Sequence, residues 1–316
     1  TLVKNEDYFA GAANIDTIIF KIVTDDNAKA LQLLSGELDL AQVAPKDVAA
    51  FEGRDGFTVY DMSTSDYRGI LYNFQNEYWQ ENADLIPAIS CAVDKQAILD
   101  AVVLGYGEAA YSPIQRNVYN YDEVEKYEYD PEKAAQIMTD AGCTRDADGY
   151  WTRNGERIGF VLSATPGDQV RIDMAQIAAQ QLQQFGLDVT ADVPAEGIDW
   201  DGQDACIIGW GSPFDADDHT YKVFGSGKGA NYSGYSNPLV DKYLTQARQT
   251  FDPQQRAEAY KNFQIELAKK PAYTFLCYID ALYVGDSSIQ GIDPDTVLGH
   301  HGVGIFRNVC DWTVNS

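Results

Sequence analysis

Apolar positions along this 316-residue chain switch repeatedly between helical and extended spacing, and glycine or proline marks most of the switches. Residues Ile15 to Ile22, rich in β-branched side chains, predict a strand. Asn27 to Leu34 follows as a short helix stopped at Gly36, a residue suited to a left-handed cap. Leu38, Leu40 and Gln42 to Val43 predict a second extended segment, and Phe57 to Tyr60 and Gly69 to Phe74 two more. From Asp84, the residues Leu85, Ala88, Ile89, Ala92 and Val93 recur at three and four positions. Ile98, Ala101 and Val102 carry that helical pattern to Gly105, and Pro87 falls in its first turn, where proline is tolerated.

Asp130 and Pro131 are an N-cap and a first-turn proline, and the helix they open closes at Ala141-Gly142. The clearest unit runs from Asp173 to Val193. There Met174, Ile177, Ala178, Leu182 and Phe185 share a helical face, Gly186 ends it, and Leu187, Val189, Ala191 and Val193 alternate as a strand. Asp252-Pro253 starts another helix, with Ala257, Tyr260, Phe263 and Leu267 on one face, and Tyr273 to Tyr278 is a strand behind it. Helices and strands mixed in this order predict an α/β protein, and the length suits about two domains. There is no repeat, low-complexity tract or long Gly/Ser linker, so any two lobes are joined by ordinary strands.

Composition narrows the partners. Lys and Arg number 23 against 48 Asp and Glu, a formal charge of -25 that repels phosphate backbones and anionic headgroups, so nucleic acid is excluded as a partner. No window approaches the apolar length of a membrane span. Cys91, Cys143, Cys206, Cys277 and Cys310 contain no CxxC pair and suggest neither a zinc site nor a redox pair; Cys91, Cys206 and Cys277 sit in apolar surroundings that suit buried thiols. The start, Thr1-Leu-Val-Lys-Asn, shows neither an initiator Met nor a signal-peptide pattern, and the expectation is that a leader or more has been removed.

Several segments taken together resemble the peptide and nickel type (family 5) of extracytoplasmic solute-binding proteins, the receptors of ABC importers. They are Lys4-Asn5-Glu6-Asp7-Tyr8-Phe9, Ala30 to Leu40, Ala88 to Gly105, Tyr129 to Ala134 with Ala141-Gly142, Ile208-Gly209-Trp210, Asn231-Tyr232-Ser233 to Asp241, and Phe251 to Tyr260. Each is short, but their collinear order is specific and spans nearly the whole chain. The resemblance implies a two-lobed fold of the periplasmic-binding-protein class II type: a partial first lobe over 1–69, a second lobe over 70–283 and a return to the first lobe over 284–316. It further implies a ligand enclosed by hinge closure, an ABC permease in the membrane as partner, and an extracytoplasmic location. The expected first lobe lacks most of its N-terminal part, including any lipid-anchor cysteine.

Candidate site residues follow from placement. Trp210, Gly211, Ser212, Phe214 and Asp215 come directly after the apolar strand Ala205 to Ile208, and α/β folds place ligands at strand C-terminal ends. An indole offers a flat surface and one N–H donor; the alternative for Trp210 is a core tryptophan. In peptide-binding relatives an aspartate three residues after this Trp holds the ligand's amino group, but Pro213 stands there, with acids at Asp215, Asp217 and Asp218. Tyr72 and Asn73 lie at the expected crossing between lobes, with a packed hinge as the alternative, and Arg171 with Gln169 is placed to meet a ligand carboxylate unless both are merely exposed.

Asp215, Asp217, Asp218 and His219 lack the spacing of a calcium loop, and Gly225 to Gly229 lacks that of a phosphate loop, so neither metal nor cofactor is expected. With three histidines and no G-x-S-x-G or H-E-x-x-H motif, no hydrolytic machinery is visible. The reading is a non-enzymatic receptor for oligopeptide-like ligands. A sugar or metal chelate as ligand, or a glycoside hydrolase built on the many aromatic and acidic residues, are the competing readings.

Overall fold

The computed structural model describes residues 1–315 and divides into two compact units. One comprises Thr1–Asp66 and the chain from Ile279 on; the other is Tyr67–Tyr278. These boundaries fall earlier than the expected 69/70 and 283/284. The reason is that the strand Tyr67–Tyr72 lies wholly in the second unit, in one sheet with Tyr273–Ile279.

The second unit is built on a six-stranded sheet. Its order is Asp188–Asp192, Gly159–Ser163, Ala205–Trp210, Tyr67–Tyr72, Tyr273–Ile279, Gly107–Ala109. Gly159–Ser163 runs parallel to both of its neighbours, whereas Tyr67–Tyr72 is antiparallel to the strands on either side. Every residue of Tyr67–Tyr72 is buried, as expected of a central strand covered on both faces, while the edge strand Asp188–Asp192 buries only Val189. The pairing of Tyr273–Ile279 shifts register between Phe275 and Cys277, a β-bulge.

Helix starts are written locally. The side chains of Asp25, Asp94, Asp130, Asp168, Asp215, Asn237 and Asp252 each accept a backbone N–H in the first turn that follows them. Six of the 48 acidic residues therefore sit where a helix N-terminus favours negative charge. The helix Gln169–Phe185 ends as the sequence predicts: Gly186 adopts φ +92°, and the Leu187 N–H returns to the Leu182 carbonyl at 2.9 Å. The long pattern from Asp84 is not one helix. It divides into Ile86–Ala92 and Lys95–Val102, because Val93 turns extended and Asp94 starts a new cap.

In the first unit, the strand Ala281–Asp286 pairs antiparallel with Leu40–Gln42 and Phe57–Met62. Met62, Leu298, Ile305 and Trp312 share its core. The buried Asp66 carboxylate accepts from His300 Nδ1 at 2.6 Å and from the His301 N–H at 2.9 Å, which holds the 300–302 turn against the end of this unit's first segment. The strand expected over Ile15 to Ile22 is a correction: only Thr17–Ile18 pairs, with Leu2–Val3, and Ile19, Phe20 and Ile22 are exposed. β-branched composition alone forms no strand where a partner edge is not on offer. All five cysteines are free thiols, with Cys91, Cys143, Cys206 and Cys277 buried. No described helix is long and apolar enough to cross a membrane.

Candidate functional site

The strand Ala205–Trp210 is buried from Ala205 through Gly209 and emerges at Trp210, which is half-buried. Gly209 is required for this exit: a Cβ there would lie 2.6 Å from the Tyr67 carbonyl oxygen and would overlap the Arg68 guanidinium. At this exit the second unit assembles three aromatic rings. Trp200 and Tyr232 stack with centroids 4.5 Å apart and planes at 28°, and Tyr232 lies 6.2 Å from Trp210 at 24°. All three are half-buried, so part of each ring stays open to solvent. Behind it the Trp210 indole meets the buried Tyr273 hydroxyl, and Lys222 Nζ stands 5.5 Å from the Trp210 ring centre.

The loop after Trp210 is firmly held. Ser212 is buried and its hydroxyl accepts the Phe214 N–H at 3.4 Å, while Gly211 is half-buried and the Phe214 side chain is 71% exposed. Asp215 caps the helix Ala216–Phe224 through the Asp217 N–H, and both its oxygens accept from Arg256 Nη2, at 2.6 and 2.9 Å. Asp217 pairs with Arg248 at 3.2 Å. Burial raises the Asp215 carboxyl, but the Arg256 hydrogen bond and the Asp217 N–H outweigh it and hold the group below the ordinary carboxylate range. At Asp217 burial wins over Arg248 and the carboxyl is pushed up.

These pairings bear on ligand chemistry. The charge of Asp215 is answered by Arg256, so an incoming ammonium would compete with a guanidinium already in place. Because the folded-state value is depressed, the contribution of Asp215 is fully present above the ordinary carboxylate range and is lost as pH falls through the folded value. NMR titration of the Asp215 carboxyl is expected to show a midpoint below that of a free aspartate, and Arg256→Gln is expected to move it upward; an unmoved midpoint would refute the pairing.

Tyr72 and Asn73, candidates for ligand contact, both direct their side chains into the second unit. Tyr72 is wholly buried, and its hydroxyl is 2.7 Å from Thr274 Oγ1, which in turn contacts Ser90 Oγ at 2.7 Å. Asn73 is also fully buried, and its Nδ2 donates to the Asp201 and Gln203 carbonyls at 2.9 and 2.8 Å. Both side chains are spent on internal hydrogen bonds, since a buried polar group left unpaired is costly. Arg171 folds back on its own helix cap, with Nε 3.1 Å from Asp168 Oδ2, and Gln169 donates to Asp173 at 2.7 Å.

His219 is buried, with Nε2 2.9 Å from the Pro113 carbonyl oxygen, and no group of metal-ligating side chains occurs among the described residues. Two members of the site, Trp200 and Tyr232, carried no sequence signal as contacts of Trp210. They stand 10 residues before it and 22 after it in loops without periodicity, and only folding stacks them.

The profile of bacterial extracellular solute-binding proteins, family 5 Middle, matches residues 1–232. The chain belongs to this family. The oligopeptide-binding protein AppA of Bacillus subtilis (strain 168) is 30% identical over 292 residues, which is 88% of this chain and 53% of that protein. Among solved structures, NikZ from Campylobacter jejuni in complex with Ni(L-His) superimposes with a TM-score of 0.88 at 30% identity, covering 98% of this chain and 64% of that one. Bacillus subtilis AppA in complex with a nonapeptide gives 0.80 at 27% identity, over 99% and 63%. The chain thus spans 53% of the AppA relative's length and has the α/β fold of family 5 binding proteins.

Proposed function

We propose that this chain is the larger part of a ligand-capturing receptor that serves an ABC importer outside the cytoplasm, and that its ligand is peptide-like. The observation that carries the reading is the half-exposed stack of Trp200, Tyr232 and Trp210 where the buried strand Ala205–Trp210 ends. Flat aromatic faces suit peptide planes and apolar side chains. Family membership and the nonapeptide held by AppA support the same ligand class. The protein acts by binding and release: Asp215 and Asp217, the acids of the loop and helix after Trp210, are committed to Arg256 and Arg248 instead of facing each other as an acid and a nucleophile would. Membership in a family described as extracellular supports the location, and a lipid anchor on a longer chain would hold the receptor beside its permease.

Pro213 stands in place of the amino-anchoring aspartate, and Asp215 is neutralised, so the ligand is gripped through backbone and side-chain contacts more than through its amino terminus. Titration calorimetry with mixed peptide pools tests the proposal. Heat is expected with peptides, and Trp210→Ala is expected to weaken binding about tenfold or more, the usual cost of removing a buried aromatic anchor. Heat with nickel and histidine but with no peptide pool would transfer the ligand to the class named for NikZ and overturn the peptide reading.

A further inference from the structure

The helices Pro238–Gln249 and Pro253–Lys269 pack against each other through apolar faces, where Val240, Leu244 and Ala247 of the first share one core with Tyr260, Phe263 and Leu267 of the second. Their solvent side keeps a groove of about 410 Å³. That volume falls within the range of small-molecule sites, about 300 to 1,000 Å³. Ala259 is the buried member of its lining, and the groove exists because this side chain stops at a methyl where the second helix faces the first.

The walls are polar. Gln246, Gln249 and Thr250 come from the first helix and the turn after it, and Gln255, Glu258 and Asn262 from the second. Some of these groups are already engaged. Thr250 Oγ1 bonds Gln255 Oε1 at 3.2 Å, Gln255 Nε2 bonds Asp252 at 3.3 Å, and the Glu258 carboxylate accepts from Asn262 Nδ2 at 3.1 Å and faces Lys261 Nζ at 3.8 Å. The carboxamides of Gln246 and Gln249 and the Oδ1 of Asn262 have no hydrogen-bond partner among the described residues. Phe251, next to Thr250 in the chain, leaves its ring wholly exposed.

This lining sorts ligands by chemistry. No lysine, arginine or histidine stands among the lining residues to hold an anion, and the one carboxylate, Glu258, is answered by Asn262 and Lys261. An apolar peptide side chain finds only the Ala259 methyl. What the groove offers is carboxamides, each with two N–H donors and an acceptor oxygen, and these match hydroxyl groups, which donate and accept in turn. We propose that the groove is a binding site for a neutral oligosaccharide, held by the carboxamides of Gln246 and Gln249 and by Asn262 Oδ1, separate from the aromatic stack at Trp210. The Phe251 ring beside it supplies a flat apolar surface for the C–H face of a sugar.

The test is NMR titration of the ¹⁵N-labelled intact chain with maltotriose, cellotriose and tri-N-acetylchitotriose, following the side-chain NH2 signals of Gln246 and Gln249. At least one of these sugars is expected to shift both signals saturably at millimolar concentrations, and the anionic trigalacturonate to bind at least about tenfold more weakly because Glu258 repels it. The double variant Gln246→Ala/Gln249→Ala changes two exposed helix positions and is expected to lose about tenfold or more in affinity, in line with about 1 kcal/mol for each lost hydrogen bond. Trp210→Ala is expected to leave sugar binding unchanged, which separates this site from the peptide-binding reading. Signals that none of the three sugars moves at tens of millimolar, an unchanged affinity in the double variant, or equal shifts with trialanine would each overturn the proposal.

Discussion

Lys95→Met is expected to stabilise the chain near pH 7 by roughly 2 to 4 kcal/mol, and the gain is expected to shrink steadily in alkali. Folding lowers the Lys95 amine from 10.5 to about 7, chiefly through burial. At about 1.36 kcal/mol for each unit, the charged amine costs the folded state roughly 5 kcal/mol at or below pH 7. Methionine fills a similar volume without charge, but it leaves the Ala110 carbonyl without its donor, which returns about 1 to 3 kcal/mol of that gain. Between about pH 7 and 10.5 the unfolded chain binds the proton and the folded chain does not, so wild-type stability rises with pH throughout this window. The difference between the two proteins should therefore fall by about 1.4 kcal/mol per pH unit and change sign between about pH 8.5 and 10. Urea unfolding at several values from acid to alkaline pH checks this directly. Curves for the two proteins that stay parallel across the window would show that Lys95 keeps its charge on folding.

Trp79→Ala is expected to cost about 3 to 5 kcal/mol, the range for emptying a large aromatic site in a packed core. Trp79 is fully buried on the short helix Glu77–Asn82, with its ring centre 4.4 Å from that of Tyr72 and 5.1 Å from those of Tyr78 and Phe160. It thus joins the helix to the strands Tyr67–Tyr72 and Gly159–Ser163. Its Nε1–H is buried and finds no acceptor, so Trp79→Phe keeps most of the packing and removes an unsatisfied donor. That variant is expected to lose less than about 1.5 kcal/mol. A lower urea midpoint with an unchanged slope for the alanine variant, and a small shift for phenylalanine, is the expected pair of results. Equal losses in both variants would mean that the indole N–H, and not the ring's bulk, holds the site together.

The parts of the fold legible in the sequence are those set by neighbours in the chain. Asp130 before Pro131, Asp252 before Pro253 and Gly186 after Phe185 specify helix ends through one side chain or one permissive dihedral, and each acts as read. The pattern from Asp84 was harder, because apolar spacing continues across Asp94 and only the cap geometry shows that one helix stops and another starts. Ile15 to Ile22 misled in the other direction: its composition suits a strand, but strand pairing is a property of two segments.

The same division runs through the candidate site. Trp210 is legible because it follows an apolar run that had to be a buried strand, and its place at the strand end depends on local pattern alone. That its ring stacks with Tyr232 and Trp200, that Arg256 and not a ligand answers Asp215, and that Tyr72 and Asn73 turn inward were decided by tertiary structure. Local spacing sets backbone dihedrals and hence element type, whereas the partner of a side chain is whichever group the packed chain brings within a few ångströms, at a sequence separation that no periodicity encodes.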